Sequence, residues 1–262
     1  MKRYQLSAIS YQLLLGGLAF VGASGLEAQR FRGVNGEAAL SAPPNPPYDG
    51  RFTYARIKFT QSCCVMGDRY WDVKWGHDYP DADQNFPKIV QELTTMRIRT
   101  EASAILALDD PELFKFPFVY LCEVGYWLPN DKETAGLRNY LLKGGFVIVD
   151  DFEGSHWFNF EAQMKKVLPE ARLLPVPAEH PIFDSFYRIS ADDYRDGNFR
   201  TPAKFFGVFE DNDPRKRLMM IVNYEFDVSE YWEFSATGLF PIDLTNEAYK
   251  LGVNYLIYAF SR

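Results

Sequence analysis

Leu137-Arg138-Asn139-Tyr140-Leu141-Leu142-Lys143-Gly144-Gly145-Phe146-Val147-Ile148-Val149-Asp150-Asp151 is the stretch whose reading decides the fold. Its first half reads as the end of a helix that stops at Gly144-Gly145, where glycine accepts left-handed backbone. Its second half, Phe146–Val149, is a short apolar run bounded by turn residues, the pattern of a strand covered on both faces. That strand is expected to end in Asp150-Asp151. Upstream, Asn130 stands three residues before Glu133, a box-like start for the helix. Farther upstream, Phe118–Cys122 is a second continuous apolar run. Two buried strands joined by a helix are expected to lie parallel, with a right-handed crossover.

Moving outward, a helix near Asn159–Val167 and a strand at Arg172–Pro175 extend the same pattern. Phe205–Phe209 and Leu218–Tyr224 flank Asp211-Asn212-Asp213-Pro214-Arg215, the signature of a hairpin with a turn-rich loop. Asn246 is expected to cap a closing helix that runs to Ala259. Toward the amino end, Phe52–Phe59 alternates like a first strand. Asn85 is expected to cap a helix to about Met96, followed by a short strand near Ile98–Thr100. Asp109-Asp110-Pro111-Glu112 is a helix start with proline just inside. Between the first strand and the first helix, residues 60–85 read as a long loop in which Tyr70, Trp71, Trp75, His77 and Tyr79 alternate with acids. Loops of that length inside a domain usually carry function.

The chain of 262 residues carries a formal net charge of −7, which argues against nucleic acid and anionic lipid as partners. Met1-Lys2-Arg3, the apolar run Leu13–Val21 and the small residues behind it have the order of a secretory signal peptide over residues 1–28. The expected cut follows Leu26-Glu27-Ala28, with Ala23 as the alternative. Export to the periplasm or outside the cell is the expectation, with membrane contact only through a partner or an uncleaved leader. Residues 29–50, with Pro43, Pro44, Pro46 and Pro47, read as an extended linker. Residues 51–262 read as one α/β domain. Of the cysteines Cys63, Cys64 and Cys122, adjacent ones rarely bridge each other, and a bridge from Cys122 to that pair is the alternative to a buried, inert thiol. No spacing suggests a zinc site of Cys and His.

The Leu137–Asp151 stretch resembles the helix, Gly-Gly, apolar-strand step of the class I glutamine amidotransferase-like fold. With Trp75–Asp83, Asp110–Phe118, His180-Pro181-Ile182-Phe183 and Gly252-Val253-Asn254, the chain is similar to a bacterial family of domains of unknown function with that fold. The resemblance covers about residues 50–262. It implies a flavodoxin-like, mostly parallel sheet flanked by helices, here with an added β-hairpin in the C-terminal third, in a secreted domain or one tied to membrane proteins. It brings no activity. The nucleophilic cysteine of true amidotransferases is missing at any strand-end turn, so their mechanism is not carried over.

In such sheets ligands bind at the carboxyl ends of the strands. Glu123 follows one buried strand and Asp150 and Asp151 end another, with His156 close behind. Grouped carboxylates there can hold a divalent cation, for which Asp150 and Asp151 are the candidate ligands, or act as an acid–base pair. The plain alternative is that they cap the next helix. Asp78, Asp81 and Asp83 form a second acidic group, without the twelve-residue calcium-loop pattern, and Asp83 can simply cap a helix. Trp71 and Trp75 could stack on a glycan or peptide, or pack the loop down. His180, held extended by Pro181, is a catalytic candidate only if the fold brings it to the acid rim. Tyr231 and Trp232 read as an aromatic contact or a pocket wall. The preferred reading is a non-catalytic module binding a small molecule, glycan or protein at this rim. A metal-assisted hydrolase using Glu123, Asp150, Asp151 and His156 or His180 is the alternative, and an accessory subunit of a membrane-attached complex a third.

Overall fold

The computed structural model describes residues 36–66, 69–190 and 204–261. Its strands are β1 (Ala55–Ile57), β2 (Val65–Met66), β3 (Arg69–Tyr70), β4 (Ala104–Leu106), β5 (Phe118–Cys122), β6 (Phe146–Phe152), β7 (Leu173–Pro175), β8 (Lys204–Phe209) and β9 (Leu218–Tyr224). Its longer helices are α1 (Asp81–Leu93), α2 (Asp131–Leu142), α3 (His156–Val167) and α5 (Ile242–Ser261), with the short α4 (Val228–Glu233) before the last. β2 and β3 make a separate small hairpin. The remaining seven strands form one sheet in the order β4-β1-β5-β6-β9-β8-β7.

The first five strands of that order pair in parallel, and β8 and β7 add antiparallel pairings. Numbered by chain order, the parallel strands read 2-1-3-4-5, the flavodoxin-like order. The order reverses between β1 and β5, so a ligand crevice is expected above their carboxyl ends.

Alternation along the strands sorts the core into two layers. Tyr54, Phe118, Tyr120, Ile148 and Ile221 face α1, α4 and α5 through Phe86, Trp232, Leu251 and Tyr255. Ala55, Ile57, Val119, Leu121, Val147 and Val149 face α2 and α3 through Leu137, Tyr140, Phe160 and Met164. Every residue of β5 and β6 is buried, as strands covered on both faces require. α2 starts on the expected capping box, with Asn130 accepting from the Glu133 amide and Glu133 accepting from the Asn130 amide. It ends at Leu142, with Lys143 as its cap and Gly144 next at a φ of +109°.

Several elements depart from the sequence reading. α1 begins at Asp81, so Asn85 lies inside it and donates instead to the carbonyls of Trp232 and Glu233. α5 begins at Ile242 after Pro241, so Asn246 is not a cap. Ile98 makes one bridge to Phe52, and the strand beside β1 is the later Ala104–Leu106. β7 does not extend the parallel pattern, because it pairs antiparallel with β8 at the sheet edge. β6 runs past Val149 to Phe152, with a register shift where Asp150 and Asp151 sit. The expected linker is partly built into the fold. Residues 36–40 are helical, Ala39 is buried, and the Asn45 amide exchanges two hydrogen bonds with the backbone of Ile105, closing the edge of β4. The expected leader, residues 1–28, lies outside the described residues. Among those residues no helix is long and apolar enough to cross a membrane.

Candidate functional site

The segment expected as a long loop is folded over the carboxyl ends of β1 and β5. Gln61, buried, donates to the carbonyls of Cys63 and Asp72 and accepts from the Lys74 amide, drawing the two ends of the β2–β3 hairpin together. Cys63 and Cys64 are bridged to each other, against the expectation from adjacency, and the free thiol is the buried Cys122. Arg56, fully buried in β1, ties the next turn down. It pairs with Asp83 at 2.5 Å and donates to the carbonyls of His77 at 2.7 Å and Trp75 at 3.2 Å. Two backbone acceptors and a carboxylate thus fix where the His77 ring stands.

That ring lies between acids. Its Nε2 is 2.7 Å from Asp72 Oδ1, and its Nδ1 is 3.1 Å from Glu123 Oε1 and 3.5 Å from Asp151 Oδ2. The Nδ1 contacts are ion-pair distances without hydrogen-bond geometry, so Nδ1 makes no hydrogen bond among the described residues. Lys74 Nζ sits 2.8 Å from Asp72 and 3.2 Å from Glu123. Burial alone would lower the imidazole pKa, but Asp151, Asp72 and Glu123 outweigh it and hold it well above the usual histidine value. Burial opposes ionisation of Asp72 too, yet His77 and Lys74 bring its pKa down to about 2. A neutral ring donating Nε2–H to Asp72 would turn the Nδ1 lone pair toward two carboxylates. Only a positive charge at Nδ1, a proton or a metal ion, makes the arrangement favourable.

The backbone is bent to build this centre. Asp78, Glu123 and Asp151 all have left-handed φ, at +64°, +50° and +53°. Such conformations are costly for non-glycine residues and persist where the surrounding structure imposes them. The bend in β6 also separates its two aspartates. Asp150 keeps the direction of Ile148 and points toward α4, where it accepts from the amides of Val228 and Ser229, from Asn223 and from the Tyr120 hydroxyl. Burial, with repulsion from Asp151, pushes its pKa up against those donors. It binds the first amides of α4, whose cap is Asp227, and does not cap the next helix in the chain, α3, which starts after Ser155. Asp151 turns to the rim instead. One donor atom each from His77, Glu123 and Asp151 lies within 4.8 Å of the others, and the same holds for Asp78, Asp151 and Asp227.

The remaining candidates scatter. Asp78, Asp81 and Asp83 do not act together. Asp78 is fully buried beside Ser229, Asp81 is exposed in the first turn of α1, and Asp83 pairs with Arg56. Trp71 is 59% exposed, whereas Trp75 is buried and packs the loop onto the sheet. Trp232 is fully buried, stacked on Phe86 with centroids 4.4 Å apart, and Tyr231 packs on Phe226 and Phe240. Both belong to the core. His180 is buried at the other end of the sheet, beside Phe209 and Tyr258, and accepts from the Ile182 amide. It cannot serve the rim, because Tyr258 reaches the first residue of β9, at its amino end. His156 packs on Tyr126 and, with Glu153, Gly154, Ser155 and Glu225, lines a cavity of about 340 Å³ beyond β6 and β9. Sequence reasoning does not single out His77, Asp72, Lys74 or Asp227 as ligands. The available signal was a histidine among acids within a long ring-rich loop.

Residues 60–260 match the family model of DUF4159, a domain of unknown function. A comparison with curated proteins finds no match.

Proposed function

The chain belongs to the DUF4159 family, and from that premise we propose that it is a metal-dependent ligand-binding domain. His77, Glu123 and Asp151 hold one divalent cation at the carboxyl-end rim, and the cation's remaining positions take the ligand. The observation that carries this reading is the buried His77 ring with a carboxylate against each nitrogen and no hydrogen bond at Nδ1. Metal bonds of about 2.1 Å place neighbouring ligand atoms about 3.0 Å apart in an octahedron and about 3.4 Å in a tetrahedron. The Nδ1–Glu123 distance of 3.1 Å falls within that range, and the Nδ1–Asp151 distance of 3.5 Å lies just above it. Asp72, on Nε2, has the position of the outer carboxylate that orients a ligating histidine. One imidazole with two carboxylates suits zinc or manganese better than calcium, which takes oxygen ligands.

Other observations support binding over amidotransferase-type chemistry. Cys122 is fully buried against Arg56 and the carbonyls of Lys74 and Trp75, and burial pushes its thiol pKa up, as in an inert cysteine. We also place the domain outside the cytoplasm. The leader-like residues 1–28 and the Cys63–Cys64 bridge support that placement.

Thermal unfolding of the chelator-stripped protein tests the reading. A cation at a hundred times its dissociation constant adds about 2.7 kcal/mol, which for a chain this size raises Tm by roughly 5–10 °C. Zinc or manganese should give that rise and calcium much less. His77→Gln should remove it. The reading fails if no ion moves Tm, or if His77→Gln responds like the parent.

A further inference from the structure

We infer that the centre holds two divalent cations bridged by Asp151, the second bound by Asp78 and Asp227. The inference rests on the His77 centre proposed above and adds a position to it. His77 and Asp78 are consecutive, and Asp78 has left-handed backbone. Donor atoms of Asp78, Asp151 and Asp227 come within 4.8 Å of one another, as do those of His77, Glu123 and Asp151, so Asp151 is common to both sets.

An acidic cluster alone would not establish a site; the Asp78 side chain adds an independent observation. It is fully buried, Ser229 Oγ donates to its Oδ2, and its Oδ1 accepts no hydrogen bond among the described residues. No lysine, arginine or histidine pairs with Asp78 within salt-bridge distance among those residues, whereas Glu123 and Asp72 have both Lys74 and His77. A buried carboxylate with one oxygen unsatisfied is costly unless a cation lies against it. Its left-handed backbone holds it in place. Asp227 stands at the start of α4, where its Oδ1 accepts from the Glu230 amide and lies 3.3 Å from Ser229 Oγ, whose one proton goes to Asp78. Glu123, Asp151, Asp78 and Asp227 are the anionic ligands of the two cations.

Two cations sharing a carboxylate stand about 3.5–4 Å apart and clamp two oxygens of one group. The ligand class is therefore an oxyanion bound through two oxygens, for which inorganic phosphate is the probe.

The test is to strip the purified protein, load it with manganese, desalt it, and count metal by mass spectrometry while recording the electron paramagnetic resonance spectrum. The expected result is two ions per chain with a spin-coupled spectrum. Asp78→Asn and Asp227→Asn should each retain one uncoupled ion and lose phosphate binding. One uncoupled ion in the parent, unchanged by Asp78→Asn, overturns the second position and leaves the His77 centre standing. No bound ion overturns both. Phosphate binding equally well to parent and Asp227→Asn overturns the bridging role. Should either variant fail to fold, the count and coupling in the parent still decide.

Discussion

Arg56→Met destabilises the protein by about 3–5 kcal/mol, the range for breaking a buried ion pair from one side. Arg56 and Asp83 are both fully buried as side chains, so removing the guanidinium strands a carboxylate with no access to water. Burial already raises the Asp83 pKa, with Arg56 the main opposing influence. The loss should appear as a fall in the urea midpoint at unchanged slope. Arg56→Met combined with Asp83→Leu should recover most of it, since replacing both members of a buried pair by apolar groups is often neutral. Recovery of stability should not restore metal binding. Arg56 also donates to the carbonyls of Trp75 and His77, and nothing in the double variant holds that turn over the sheet. A single variant within about 0.5 kcal/mol of the parent, the range of ordinary surface substitutions, would contradict the structure at its centre.

Trp232→Ala is the second large effect, a loss of about 3–5 kcal/mol from the cavity left in the core. The indole is fully buried, stacks on Phe86 and donates to the Ala248 carbonyl at 3.2 Å. α5 comes this close because residue 252 is glycine. A Cβ there would stand 2.4 Å from Trp232 Cζ2 and 2.6 Å from the Phe86 ring. Little collapse can refill the space, since the neighbours are themselves packed rings. Metal content should stay that of the parent, because Trp232 touches none of the proposed ligands. If instead the urea midpoint holds and ligand binding falls, Trp232 is a pocket wall after all.

The parts of the fold legible in the sequence were those with local signals. The strand, capped helix and strand from Phe118 to Phe152 carry theirs in apolar runs, a capping box and a Gly-Gly stop. The hairpin of β8 and β9 was readable from its turn residues. β4 was missed because three residues at a sheet edge leave little periodicity, and its outer edge is closed by Asn45, far away in the chain. The start of α1 was missed because Pro80 and Asp81 sit in a turn-like context, where Asn85 looked the better cap.

The site was half legible for a similar reason. Glu123 and Asp151 were found because strand ends mark the rim. Asp150 could not be separated from Asp151, since that depends on a left-handed residue in β6 that sends neighbouring acids to different places. His77 and Asp72 reach the rim through Gln61 and Arg56, whose polar contacts hold the loop and carry no local sequence signal. Arg56 lies in the expected first strand and is fully buried, where a charged side chain is rarely found unless paired.

The most direct measurement is anomalous diffraction from a crystal of the full chain soaked in manganese, collected above the metal's absorption edge. The account predicts a peak at bonding distance, about 2.1–2.2 Å, from His77 Nδ1 and from carboxylate oxygens of Glu123 and Asp151. Peaks only at surface acids, with the His77 ring still held between Asp72 and Glu123, would contradict it.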